Sequence, residues 1–199
     1  MEAMGELLPY RPPKAREETT AYLGMVVFLG SWAMMFAALF FAYGFVRSRS
    51  AAWPPPDLPE LPWGTPAINT LVLAASSIAI QLGLRFIRGG APRKLAAALL
   101  VTLGLGALFL GLQIALWSHL YAQGLHPETS GPYGSVFWGL TGFHALHVAV
   151  GLGGVGVLCR RAFAGAFSAA RYLPVRLWAL YWHFVGAVWA LMFISIFLL

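Results

Sequence analysis

The hydrophobic positions of this chain fall into five long runs, at approximately 21–46, 66–86, 95–121, 134–158 and 175–199. Each run is at or above the roughly 20 apolar residues that carry a helix across a bilayer. The expected architecture is an all-α membrane protein with a single five-helix transmembrane domain over residues 21–199. Residues 1–20 hold Pro9, Pro12 and Pro13 among mixed charges. They read as an exposed arm, because a cleavable leader would need an apolar centre there. The connection from Arg47 to Thr65 contains Pro54, Pro55, Pro56, Pro59 and Pro62, which predicts a stiff extended loop rather than a domain boundary.

Composition supports the same class. Hydrophobic residues make up 59% of the chain and charged residues 10%, with a mean hydropathy of +0.72. A soluble domain carries about 25% charged residues. The formal net charge of +6 does not imply a nucleic-acid partner, since no basic stripe with interleaved aromatics is present. The basic residues flank the apolar runs instead. Of the 13 Lys and Arg, all but Arg47 and Arg49 fall before the first span, or in and at the edges of the connections between the second and third and between the fourth and fifth. The positive-inside bias therefore predicts a cytoplasmic N-terminus and a periplasmic C-terminus. The single cysteine, Cys159, excludes an internal disulfide and a multi-thiolate metal site.

Chemistry at membrane depth would have to come from the polar residues of the spans. All seven acidic residues lie outside them, in the arm or the loops, which argues against proton-coupled transport through buried carboxylates. The neutral set includes Asn69, Thr70, Ser76, Ser77, Gln81, Thr102, Gln113 and Thr141. Such groups hydrogen-bond between helices at about 0.6–2 kcal/mol each. Glycines at 104, 106, 111, 139, 142, 151, 153, 154 and 156 suggest close helix approach. Trp53, Trp63, Trp117, Trp178 and Trp182 fall near the predicted interfaces, as an aromatic belt would.

Histidine is the exception among the polar residues. His144 and His147 are three apart and share one helix face, and His183 stands in the last span. A same-face pair could ligate a transition metal if other helices completed the set, could relay protons, or could tie helices together. The pair cannot supply both axial ligands of one haem. No second helix carries the matching pair that stacked haems require. A structural role is the better supported one, with no catalytic and no metal-ligating residue expected.

The stretch Tyr133-Gly134-Ser135-x-Phe137, followed by Thr141-Gly142-Phe143-His144-x-x-His147-Val148, resembles the signature of subunit III of haem-copper terminal oxidases. Further stretches agree in order: Leu23-Gly24-Met25 with Phe40-Phe41-Ala42-Tyr43, Asn69-Thr70 with Ser76-Ser77, Gly111-Leu112-Gln113, and Tyr181-Trp182-His183-Phe184-Val185. The resemblance covers about Tyr22 to Leu199, and five spans match the shorter bacterial form.

The resemblance implies a subunit without redox centres in an aerobic respiratory complex of the bacterial cytoplasmic (inner) membrane. Haem and copper would sit in partner subunits, with subunit I the main contact and subunit II and a small subunit IV further ones. A larger respiratory assembly is a further partner it suggests. It also implies a V-shaped bundle whose cleft holds phospholipid. His144, His147, His183, Gln113, Asn69, Ser77 and Thr141 are then lipid-cleft or interhelix polar residues. Three positions depart from the family's pattern. Trp32, Leu116 and Gly186 stand where relatives often carry carboxylates, so proton handling by those acids does not transfer. An accessory subunit of nitric oxide reduction is an alternative within the fold. A stand-alone transporter or haem membrane protein is an alternative outside it.

Overall fold

The computed structural model of the chain describes residues 13–199, with side chains from Arg16 onward. Five helices follow in order: α1 (Pro13–Arg49), α2 (Gly64–Arg88), α3 (Pro92–Ala122), α4 (Gly131–Phe163) and α5 (Leu173–Met192), the last continuing into a π-helical turn over Phe193–Leu198. All five are long and apolar enough to span a membrane. The helices begin and end beyond the apolar runs that predict them. At 33 residues, α4 is about 50 Å long, well over the roughly 30 Å of a hydrocarbon core.

Residues 13–20 of the expected arm are helical. Helix α1 already starts at Pro13, because proline suits the first helical position and the residues after it are good helix formers. Thr20 Oγ1 donates back to the Arg16 carbonyl at 2.9 Å. The rest of the arm, residues 1–12, lies outside the described residues.

Helix ends are closed by the local sequence. At the end of α2, Gly90 takes φ 75°, a conformation glycine adopts at little cost. Its amide donates to Ile87 O at 3.1 Å, and the amide of Ala91 to Phe86 O at 2.9 Å. This double bond pattern satisfies carbonyls that would otherwise be orphaned. Gly165 closes α4 the same way, with bonds from Gly165 to Ala162 O and from Ala166 to Arg161 O, both 3.0 Å.

Helices α2, α3, α4 and α5 pack in sequence, and α5 returns to α2, so the four close into a ring. Helix α1 lies outside it, against α4 and α5. Its buried residues Leu29, Phe36 and Tyr43 recur every seven positions, a single narrow seam. The other faces of α1 remain apolar and open, with Val27, Met34 and Phe41 at 65%, 76% and 75% exposure. The three-residue connection between α2 and α3 makes them antiparallel neighbours.

The two ends of the bundle differ in character. At one end Arg88 lies 5.6 Å from the Tyr172 ring and Arg176 lies 5.0 Å from that of Tyr22. Arg88 of α2 and Arg176 of α5 thus lie at the same end of the bundle. At the other end Tyr43 donates to Ser195 O at 3.0 Å, and Trp53 sits between Tyr43 and Tyr133 at 5.5 and 4.7 Å.

Candidate functional site

The buried polar residues form a layered network inside the ring. Asn69 of α2 donates through Nδ2 to Gln113 Oε1 of α3 at 3.4 Å. One residue on, Thr70 Oγ1 accepts from Trp189 Nε1 of α5 at 2.9 Å. Thr141 of α4 donates to its own helix at Phe137 O and accepts from Trp117 Nε1 of α3 at 3.2 Å. Ser76 of α2 accepts from Trp182 Nε1 of α5 at 2.9 Å. Every consecutive pair in the ring except α4–α5 is tied by a side-chain hydrogen bond in this set. That remaining pair is joined by Tyr181, whose hydroxyl donates to His147 O at 2.9 Å.

His144 lies within this network without a hydrogen-bond partner. It is 1% exposed, and neither ring nitrogen has a partner among the described residues. Phe36, Phe109 and Trp189 surround it, at centroid distances of 6.4, 5.8 and 5.4 Å. His147, also 1% exposed, has Nδ1 2.5 Å from Phe143 O. Its ring meets Trp32 of α1 edge-on at 3.5 Å and Phe36 at 5.1 Å. The HxxH face therefore receives α1.

His183 is elsewhere. Its Nε2 is 3.2 Å from Gln81 Oε1 at the outer junction of α2 and α5. An amide oxygen only accepts, so Nε2 carries the proton. Of the seven polar residues expected at the site, Asn69, Gln113, Thr141, His144 and His147 are buried inside the bundle. Ser77 and His183 line an outer groove instead. The buried serine is Ser76, at 0%. It lies seven residues from Asn69 and so returns to the same helix face, a signal present in the sequence. Among the described residues no group of three or more His, Cys, Asp or Glu side chains is placed to hold a metal ion.

Close approach falls on fewer glycines than expected. A Cβ on Gly106 would sit 2.6 Å from Leu152 and 2.8 Å from the Trp182 ring, and one on Gly151 would also sit 2.8 Å from that ring. One on Gly154 would land on Trp178. By contrast, Gly104, Gly111, Gly139, Gly142, Gly153 and Gly156 face open space. The aromatic belt is also thinner than expected: Trp182 is fully buried, while Trp63 is 67% exposed. Gly106 and Gly151 open a notch that draws the large ring inward.

The departures from the family's carboxylates fall on packed positions. Trp32 covers His147, Leu116 is buried at 3%, and Gly186 brings its backbone close to Ser77, with a Cβ there 3.2 Å from Oγ.

Comparison with known proteins adds a second line. The family model for cytochrome c oxidase subunit III matches residues 16–199. A cytochrome c oxidase subunit 3 of Synechocystis is 38% identical over 177 residues, covering 88% of this chain and 74% of the relative. The subunit 3 of Thermostichus vulcanus is 35% identical, covering 89% and 86%. That of Marchantia polymorpha is 34% identical, covering 87% and 66%.

Proposed function

Because the chain belongs to the cytochrome c oxidase subunit III family, we propose that it serves as the non-catalytic subunit III of a proton-pumping haem-copper oxidase. In this reading it packs beside subunit I in the bacterial cytoplasmic membrane, with subunit II and a small subunit IV in the same complex. The N-terminus faces the cytoplasm, by the bias of the basic residues. Electron transfer and oxygen reduction then belong to the haem and copper of the partner subunits, and this chain stabilises subunit I and holds phospholipid. The observation that carries the reading is the family match over residues 16–199. The apolar filling of Trp32, Leu116 and Gly186 supports a structural role over a proton-handling one. Affinity purification of the tagged chain in mild detergent tests it. The expected result is a co-purifying subunit with haem absorbance and oxygen consumption. Recovery of the chain as a haem-free homo-oligomer overturns it.

A further inference from the structure

A shallow groove of about 380 Å³ runs along the outer junction of α2 and α5, lined by Ser77, Ile78, Gln81, Leu82, Arg85 and His183. Ile78 and Leu82, at 62% and 39% exposure, place it on the membrane-facing surface. Ser77, Gln81 and Arg85 recur every four residues on one face of α2. The Gln81–His183 bond leaves the Gln81 amide NH2 and His183 Nδ1 without a partner among the described residues. Ser77 Oγ and the Arg85 guanidinium also have no partner among the described residues. Hydrocarbon satisfies neither the Ser77 hydroxyl nor the Gln81–His183 pair, since Ser77 and Gln81 lie before Arg85 and the last turn of α2, and polar side chains at membrane depth almost always face other protein.

Depth selects the occupant. Ser77 lies eight residues from Arg85, about 12 Å along the helix axis. The polar layer of one leaflet is only about 5–8 Å thick, so a phospholipid held at Arg85 offers nothing polar at the level of Ser77. A transmembrane helix offers polar side chains at every level. Arg85 also presents a cation to the groove, whose lining contains no carboxylate. Small residues beside it, Gly186 and the exposed Ala187 and Ala190, allow another backbone to come close.

We infer that the α2–α5 groove seats one transmembrane helix of a partner subunit, a helix whose carboxylate pairs with Arg85 and whose polar side chain meets the Gln81–His183 pair. This rests on the oxidase reading above and assigns the surface that reading leaves open.

The test uses the intact complex purified from membranes through a tag on this chain. A benzophenone amino acid replaces Ile78 in one variant and Leu108, on the open face of α3, in another. On illumination, the Ile78 probe is expected to couple to the haem-bearing partner and the Leu108 probe is not. Arg85→Glu is expected to cut the haem retained per chain at least tenfold, while Arg88→Gln leaves it within twofold. Coupling of the Ile78 probe to phospholipid alone, or coupling of the partner from Leu108 instead, overturns the groove assignment and leaves the oxidase reading standing. Absence of any haem-bearing partner with the unsubstituted chain overturns the oxidase reading, and the groove assignment with it.

Discussion

The indole nitrogen of Trp182 donates to the hydroxyl of Ser76 at 2.9 Å, joining α5 to its ring neighbour α2. The six-membered part of the same indole lies against both Gly106 of α3 and Gly151 of α4. One side chain thus reaches all three other ring helices, through its indole nitrogen and its six-membered ring. In a membrane, where lipid gives helices no hydrophobic drive to associate, such packing and interhelical bonds carry the association.

The two glycines that receive Trp182 are predicted to behave oppositely to those that face outward. Gly106→Ala and Gly151→Ala place a methyl against a fully buried ring, a form of overpacking that costs about 1–3 kcal/mol. Gly153→Ala and Gly156→Ala meet nothing within 4 Å. They gain helix stability of about 0.5–1 kcal/mol instead. Thermal unfolding of the purified variants in one detergent separates the two sets. Equal loss of stability in all four would show that outward-facing glycines are also in contact.

Ser76 and Ser77 are adjacent in the sequence but differ in environment, so their alanine variants are expected to diverge. Ser76→Ala removes the acceptor of the Trp182 bond inside the ring, at about 0.6–2 kcal/mol, and lowers Tm. Ser77→Ala alters a groove on the outer surface and leaves the Tm of the separated chain unchanged. A larger drop for Ser77→Ala would reverse the assignment of the two faces of α2.

Much of this arrangement is readable before any coordinates. Five apolar runs predict the five helices, and the clustering of Arg88 and Arg176 at one end matches the charge bias that predicts it. The HxxH spacing correctly places His144 and His147 on one face. What the pattern does not disclose is which face of a uniformly apolar helix is covered. In α3 and α4 both buried and open faces are apolar, so nothing local distinguishes Gly106 from Gly104 or Gly151 from Gly153. The identity of the ring that fills a notch is set by a helix some 30–75 residues away, Trp182 in both cases. His183 is separated from His144 for the same reason. Its partner Gln81 lies 102 positions away, and no spacing rule connects them.

Asn69 and Gln113 form a two-member polar pair, and each retains one unsatisfied atom, Asn69 Oδ1 and Gln113 Nε2. Leaving one partner alone in the interior costs more than removing both. Asn69→Leu and Gln113→Leu singly are therefore expected to lose about 1–3 kcal/mol each. The double variant should lose clearly less than their sum. A double-mutant cycle on thermal or denaturant unfolding measures the difference, and strict additivity would count against a direct bond.

His144 gives the sharpest contrast between a packing role and a chemical one. Its ring is enclosed by Phe36, Phe109 and Trp189, and both nitrogens are buried without a hydrogen bond to any described residue. The edge-on contact with Phe109, at 79° between planes, is one that an aromatic hydrocarbon also makes. Replacing a buried polar group that has no partner by an apolar group of similar shape is near neutral or stabilising. His144→Phe is therefore expected to keep or raise Tm and to leave the haem content of the co-purified complex unchanged. His147 differs, because its Nδ1 is bonded to Phe143 O and Phe at that position forfeits the bond. His147→Phe is expected to be the more damaging of the two. Were His144→Phe to lower Tm as far as Ser76→Ala does, the imidazole nitrogens would have to be engaged by a bound group. The His144–His147 face would then be a binding site rather than the seat of α1.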